Sequence, residues 1–274
     1  MIDFYARSSS TPIAGVPNFD TKHVLDGERK MEFLKPLPVT SEGRNFEICS
    51  SVIGVYDKGK PGTVVETEQL LVDKDTNEVY TRAVGSGFYV GQGGWGGPKG
   101  RSWLLFDCVQ LDVSPKALVE LTHSLRTGPK TVNYPPPQNK APDASVALQT
   151  TNETALLYRL NGDYNPLHAT PEPGMKMGFG GPIIHGLFSW NSAAHIVLQQ
   201  FGGSNPANIK SFQARFASPV KPGDKLFVDM WRMGKTDADG FEEIRFIVRV
   251  DGGKVCLSNG QAFVKMTSQS KSKL

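Results

Sequence analysis

The chain has 274 residues, of which 39% are hydrophobic and 21% are charged, and it carries 30 basic against 27 acidic side chains. This length allows one large domain or two of about 130 residues, each able to bury a core. The net charge of +3 gives no support for a nucleic-acid-binding protein. No apolar run reaches the length of a membrane span, and the N-terminus lacks the pattern of a signal peptide.

The cysteines and histidines show no metal-binding pattern. Three widely separated cysteines have the spacing of reduced thiols in an intracellular protein: Cys49, Cys108 and Cys256. Five histidines match no zinc motif: His23, His123, His168, His185 and His195. We therefore expect no metal site.

The first half of the chain has the pattern of an antiparallel sheet. Residues 44–56, 62–73 and 78–90 alternate or run apolar, as strands do. Turn-forming residues separate them at 57–62 and 73–77. These features predict a β-rich domain at 1–133.

A proline-rich connector at 134–142 divides the chain. Beyond it, residues 143–267 form the second predicted domain, and 268–274 form a polar tail. A strand is expected near 146–150, and the pattern predicts further strands near 209–218, 224–234, 241–251 and 254–266.

One long helix is predicted between the first strand of the second domain and the other four. It follows Pro182, and Gly202 and Gly203 end it. Its apolar residues keep helical spacing: Leu187, Trp190, Ala194, Val197, Leu198 and Phe201. A long helix followed by antiparallel strands predicts an α+β fold, with a sheet wrapped around a helix.

Asp163 and His168 are the strongest candidates for chemistry. They lie five residues apart, and on a regular helix they would point about 140° away from each other, so a shared site requires a turn. Pro166 disfavours an α conformation at Asn165, and Gly162 favours a tight turn. Taken alone, the pattern also fits a turn capped by Asp163 with His168 as a polar surface residue.

Gly186 lies at the start of the predicted helix. The first N–H groups of a helix have no intrahelical partner and lie at the positive end of its dipole. The Gly186 N–H could therefore stabilise a carbonyl oxygen that becomes negatively charged. The glycines at 180–186 also fit a flexible entry loop that lets the helix pack closely.

Four segments carry a resemblance to a known family: Tyr158–His168, Pro182–Leu187, Arg215–Asp224 and Ser258–Gly260. They resemble the MaoC-like hydratases, and most closely the peroxisomal enoyl-CoA hydratase 2 group. The resemblance runs from about residue 142 to 266. It extends more loosely to the first half through the glycine-rich segment 91–97.

The resemblance implies a double hot-dog fold, each half an antiparallel sheet around a central helix. It implies a hydro-lyase that adds water to trans-2-enoyl-CoA and gives the (3R)-3-hydroxyacyl product. Coenzyme A would be part of the substrate, so no separate cofactor is expected, and we expect a homodimer. The implied catalytic residues are Asp163, His168, Asn165 and the backbone of Gly186. The implied substrate-binding residues are Tyr164, Pro166, Leu167 and His185.

The first half departs from this family in two places. The family would place a full central helix near the N-terminus, and only Asn18–Arg29 remains here as a helix stub. Residues 101–128 interrupt the expected passage from the glycine-rich segment to the connector. This insertion is either a segment foreign to the fold, which we favour, or a helical lid.

The C-terminus ends in Ser272, Lys273 and Leu274, which form a peroxisomal targeting signal. The preceding residues are polar, as a tail that enters an import receptor needs to be. A solvated basic tail is the alternative. The sequence thus predicts a peroxisomal location and an import receptor as a partner.

Two other functions fit the same fold. A hot-dog acyl-CoA thioesterase would share the architecture, but such enzymes generally use a carboxylate without the Asp163–His168 pattern. A non-catalytic acyl-CoA-binding protein would keep the fold and lose the acid/base pair, of which both members are present here.

Overall fold

The computed structural model describes residues 15–100 and 132–267. The predictions for 101–128 and for the tail 268–274 lie outside the described residues. Within them, two compact units meet in sequence between Asn133 and Tyr134. In the described part of the chain, no helix is both long enough and apolar enough to cross a membrane.

The first unit contains four strands. They are β1 (Val24–Phe33), β2 (Phe46–Asp57), β3 (Gly62–Asp73) and β4 (Glu78–Val90). They pair antiparallel in the order β2-β3-β4-β1. Three of them lie within one or two residues of the predicted strands, because their alternating apolar residues and turn signals are local features.

The predicted helix stub at Asn18–Arg29 is wrong. A short 3₁₀ turn at Thr21–His23 leads directly into strand β1, which pairs with β4 from Val24 to Phe33. The many charged residues of β1 favour a helix locally, but pairing with β4 provides hydrogen bonds and ion pairs that override this preference. Arg82 of β4 donates to Glu32 of β1 at 2.9 Å and to Glu68 of β3 at 2.6 Å.

Asp57, at the end of β2, holds the glycine-rich segment that follows β4. Its carboxylate accepts hydrogen bonds from the backbone N–H groups of Gly59, Gly94 and Gly96 at 2.7–2.8 Å. A side chain at Gly93 would meet the carbonyl oxygen of Gly59 at 2.0 Å, so the segment must approach the β2–β3 turn without one.

The second unit holds one long helix and five strands. The strands are β5 (Ala144–Gln149), β6 (Ile209–Phe216), β7 (Lys225–Thr236), β8 (Glu242–Val250) and β9 (Val255–Val264). They pair antiparallel in the order β6-β9-β8-β7-β5. The helices are α1 (Thr154–Tyr158), α2 (Pro171–Lys176) and α3 (Gly186–Gly202). Three 3₁₀ turns lie at Arg159–Asn161, Pro166–His168 and Pro206–Asn208.

Helix α3 packs against the sheet and forms the core of this unit. The ring of Trp190 meets Phe212 of β6 edge-on at 4.7 Å, and Phe212 stacks on Phe246 of β8 at 4.7 Å. Val197 is fully buried. Gly203, in the left-handed conformation with φ 63°, ends the helix as predicted. A sheet wrapped around one helix is the arrangement that the sequence predicted for this half.

We expect Asp57→Asn to lower the melting temperature of the first unit by several degrees. The N–H groups of Gly94, Gly59 and Gly96 lower the pKa of the Asp57 carboxyl below its ordinary value. The folded state therefore binds the proton less well than the unfolded chain does. This stabilisation is present above the unfolded pKa of about 3.9 and is lost as the pH falls through the lowered pKa.

Thermal melts of the wild-type protein and of Asp57→Asn between pH 3 and pH 7 check this. Glu42→Gln, at an exposed acidic residue, serves as the matched control. If Asp57→Asn melts like the wild type at pH 7, Asp57 does not hold the glycine-rich segment.

Candidate active site

The loop after helix α1 turns between Asp163 and His168, as predicted. Gly162 has φ 101°, a conformation that L side chains rarely adopt. The Asn165 N–H donates to Asp163 Oδ1 at 3.2 Å, and the Leu167 N–H donates to Asn165 Oδ1 at 3.0 Å. These two local bonds bend the backbone, and Pro166 then opens a 3₁₀ turn that ends at His168.

His168 is buried, with 8% of its surface exposed, so it is not a polar surface residue. Its Nδ1 lies 2.8 Å from the carbonyl oxygen of Ile183. Because a carbonyl oxygen can only accept, Nδ1 carries the proton and Nε2 is left as the acceptor. Burial lowers the pKa of His168 below its ordinary value, while the Ile183 bond and the charge of Asp163 partly oppose this effect. The ring is therefore neutral near pH 7 and able to take a proton.

Asp163 is half-buried beside this ring. One carboxylate oxygen of Asp163 and one nitrogen each of His168 and His185 lie within 4.8 Å of one another. A water molecule between Asp163 and His168 could contact both groups and exchange protons with them.

The three side chains also have the residue types of a metal site, but their geometry does not suit one ion. The rings of His168 and His185 are stacked, with centroids 3.7 Å apart and planes tilted by 24°. Ring lone pairs lie in the ring planes. Those of two stacked rings therefore do not converge on one ion at a metal–nitrogen distance of about 2.1 Å. An acid/base site therefore fits this cluster better than a metal site.

Gly186 is the first residue of helix α3, and His185 is its N-cap residue. Its N–H has no partner within the helix and lies at the positive end of the helix dipole. Three bonds link the segment before Gly186 to the turn of the acid/base pair: His168 Nδ1 to the Ile183 carbonyl, the Ile183 N–H to the Leu167 carbonyl at 3.3 Å, and His185 Nε2 to the Asp163 carbonyl at 3.2 Å. The pair and the predicted oxyanion donor thus belong to one bonded unit.

The four predicted substrate-binding residues lie in different surroundings. Tyr164 is 49% exposed, and its carbonyl accepts a hydrogen bond from Arg159 at 2.9 Å. Pro166 is exposed, whereas Leu167 and His185 are buried at 4% and 2%. Substrate contact by these residues stays a prediction, and Leu167 packs as a core residue.

Sequence reasoning assigned no role to Tyr158, although it opens the motif segment. Its ring lies 4.9 Å from the ring of His185 and meets Phe188 edge-on at 5.8 Å. Its hydroxyl accepts a hydrogen bond from Asn191 Nδ2 at 2.9 Å. Tyr158 and Phe188 also line an open pocket of about 300 Å³, together with Thr154, Leu157 and Asn161. The sequence signal that could have pointed to a role for Tyr158 is an aromatic residue shortly before the acid/base pair.

Comparison with known families covers both units. Residues 134–252 match the MaoC-like domain, and residues 1–91 match the N-terminal domain of hydratase 2 from multifunctional enzyme type 2. A solved MaoC-like dehydratase from Phytophthora capsici matches with a TM-score of 0.69 and 30% identity, over 93% of this chain and 75% of that one. The chain belongs to the MaoC-like family.

Three curated relatives are similar in sequence. The probable dehydratase NIT22 of Ajellomyces capsulatus is 46% identical over 97% of this chain. Peroxisomal multifunctional enzyme type 2 of Drosophila melanogaster is 34% identical over 92%, and the probable enoyl-CoA hydratase 2 of Dictyostelium discoideum is 32% identical over 80%. The chain spans 66%, 36% and 64% of these three relatives.

The predicted double hot-dog fold class is confirmed. A Mycobacterium tuberculosis protein with a double hot-dog fold matches 90% of this chain and covers 76% of its own length, with a TM-score of 0.51. At 16% identity this match shows the fold alone. Asp163, His168 and Gly186 all lie within the matched MaoC-like segment.

We expect His168 to titrate below the ordinary histidine value of about 6.5. Burial disfavours the charged ring in the folded state, so the unfolded chain takes up the proton at a higher pH. It follows that the free energy of unfolding decreases as the pH falls below about 6.5. NMR titration of the histidine side chains, assigned with His168→Gln, measures this directly. A folded-state midpoint at or above that of the urea-unfolded chain would contradict the assigned environment.

Proposed function

We propose that this protein is a 2-enoyl-CoA hydratase, which adds water to trans-2-enoyl-CoA and gives (3R)-3-hydroxyacyl-CoA in peroxisomal fatty-acid β-oxidation. One observation carries the proposal. A buried, neutral imidazole and a carboxylate lie within reach of one water molecule, and they are bonded to the segment that ends at a helix N-terminus. This set provides proton transfer and oxyanion stabilisation together.

The geometry supports a hydration in which the oxygen and both protons of the added water are accounted for. A water held between Asp163 and His168 adds its oxygen to C3 of the enoyl group and gives up a proton. A proton is delivered to C2, and the acid/base pair returns to its starting state. Because the Asp163 carboxylate and the His168 ring lie close together, we assign both transfers to the pair and neither to one residue.

The backbone N–H of Gly186 would hold the thioester oxygen as negative charge builds on it. A helix dipole and an N–H without an intrahelical partner both favour this charge, and neither has to move during the reaction. Asn165 supports the site indirectly, because its side chain accepts the Leu167 N–H and so fixes the turn that carries His168. We propose orientation of the water or of Asp163 as a further role for Asn165.

The relatives support the substrate class and the compartment. The first unit matches a hydratase 2 domain, and relatives carry the names enoyl-CoA hydratase 2 and peroxisomal multifunctional enzyme type 2. The (R) configuration rests on the resemblance to hydratase 2. We propose that the reaction needs no separate cofactor, since coenzyme A belongs to the substrate. A homodimer and an import receptor complete the proposed partners.

Asp163→Asn and His168→Ala should each lower turnover of crotonyl-CoA by about 100-fold or more, because each removes a proton-transfer group. The double variant should be no slower than the slower single variant, since the two residues act as a unit. Loss of enoyl absorbance measures the rate, and chiral analysis of the product checks the (R) configuration. His195→Ala provides a matched control at an exposed histidine of α3.

A single variant that retains more than about a tenth of the activity would remove that residue from the mechanism. Release of free coenzyme A thiol instead of hydration would identify a thioesterase. Binding of enoyl-CoA without any turnover by the wild-type protein would support the non-catalytic alternative. A parallel assay with a long-chain enoyl-CoA measures the chain-length preference.

The compartment is tested separately. A fluorescent reporter that carries the last dozen residues should enter peroxisomes, and removal of Ser272, Lys273 and Leu274 should leave it in the cytosol, because the receptor reads this tripeptide. The length-matched control is a reporter that ends instead in the same number of residues copied from an exposed loop of this protein. A diffuse signal from the intact tail would contradict the peroxisomal location and leave the hydratase chemistry untouched.

A further inference from the structure

His185 lies between two rings at the start of helix α3. One face stacks on His168, with ring centroids 3.7 Å apart, and Tyr158 lies 4.9 Å from its centroid. Only 2% of the residue is exposed. With these neighbours, little of the His185 ring is open to solvent, and the substrate contact that the family resemblance implies for His185 stays a prediction.

The hydrogen bonds of His185 define its protonation. Its Nε2 lies 3.2 Å from the carbonyl oxygen of Asp163, and a carbonyl can only accept, so Nε2 carries the proton. Its Nδ1 is buried and has no hydrogen-bond partner among the described residues. A second proton on Nδ1 would bury an unpaired donor, which costs about 1–3 kcal/mol or more for a charged group. The neutral Nε2–H tautomer is therefore favoured.

We propose that His185 is a positioning residue, which stays neutral and holds the Asp163 backbone and the His168 ring in place relative to the Gly186 N–H. Its own peptide bond leads into Gly186, so one residue contacts all three parts of the site. Its bond to the Asp163 carbonyl complements the bond from His168 to the Ile183 carbonyl. Together these bonds tie the two loops in both directions.

The charges around His185 agree with a neutral ring. Burial lowers its pKa to about 4, and the neighbouring His168 and Arg159 act in the same direction. The carbonyl and carboxylate of Asp163 oppose this shift but do not overcome it. His185 is also the N-cap residue of α3, at the positive end of the helix dipole, which disfavours a charged ring. The Tyr158 ring beside His185 is an uncharged neighbour at neutral pH.

A neutral His185 has a consequence for His168. Whenever His168 holds a proton, a charged ring stacked 3.7 Å away would repel it, whereas a neutral ring does not. His185 thus permits proton uptake by His168 while fixing its orientation. This effect on turnover rests on the proposed hydratase function, whereas the tautomer of His185 does not.

Two substitutions separate the hydrogen bond from the ring. His185→Phe keeps an aromatic ring of similar size but removes the donor to Asp163. His185→Gln removes the ring but keeps an amide N–H at the place of Nε2. We expect His185→Phe to lower kcat by about 100-fold with less than about a threefold change in KM, because small displacements of reacting groups cost this much. His185→Gln should recover at least about tenfold of that loss.

Two kinetic outcomes would overturn the proposal. A rise in KM with kcat preserved in either variant would show a substrate-binding role. Equal losses of kcat in the two variants would show that the donated hydrogen bond is not what matters. Circular dichroism and melting temperatures confirm that the variants fold; where one does not, the spectroscopic test on the wild-type protein decides.

That test uses ¹⁵N-labelled histidine in the wild-type chain, with the His185 signals assigned by their absence from His185→Gln or from a His185→Asn variant. We expect ring shifts of the Nε2–H tautomer and no titration between about pH 5.5 and pH 8, in line with the lowered pKa of His185. An Nδ1–H tautomer, or a titration near 6.5, would overturn the proposal. If the protein shows the expected spectrum but has no hydratase activity, the proposed function is rejected and the proposed geometry of His185 stands.

Discussion

Reciprocal hydrogen bonding between two loops is the constraint on which the site depends. In the 163–168 turn, the His168 side chain donates an N–H to the Ile183 carbonyl, and the Asp163 carbonyl accepts an N–H from His185. A backbone bond from Ile183 to Leu167 lies between them. Each bond joins residues that are 15 to 22 positions apart, so the turn and the start of α3 cannot shift independently. The rest of the second unit supports this frame by packing α3 against the sheet.

Burial gives this frame its chemical character. The same packing that hides His168 and His185 from water makes their charged forms costly, so both rings are neutral at the start of a reaction. The two histidines then differ in which ring nitrogen is bonded to a backbone carbonyl. The His168 ring lies near the Asp163 carboxylate, and its bond to the Ile183 carbonyl places the proton on Nδ1 and leaves Nε2 as an acceptor, whereas His185 uses its Nε2 in a backbone bond. In the proposed mechanism, these different hydrogen bonds assign proton transfer to His168 and positioning to His185, although the residue type is the same.

The first unit uses a similar device for structure. Asp57 gathers three backbone N–H groups of the glycine-rich segment and its neighbouring turn, and Arg82 joins two strands through Glu32 and Glu68. The charges of Asp57 and Arg82 each have several hydrogen-bond partners, and these bonds offset the cost of removing the charges from water. Strand β1 is held by such cross-strand contacts, and its helix-like sequence does not decide its structure.

The sequence by itself determined the features that depend on neighbouring residues. Apolar spacing and the terminal glycines defined α3, alternation defined most strands, and Gly162 with Pro166 predicted the turn that brings Asp163 towards His168. Only the tertiary structure decided that Val24–Phe33 is a strand, that Leu167 is a core residue, and which nitrogen of each histidine is occupied. These properties depend on partners distant in the chain, and local sequence preferences carry no information about which partner a backbone or ring nitrogen will meet.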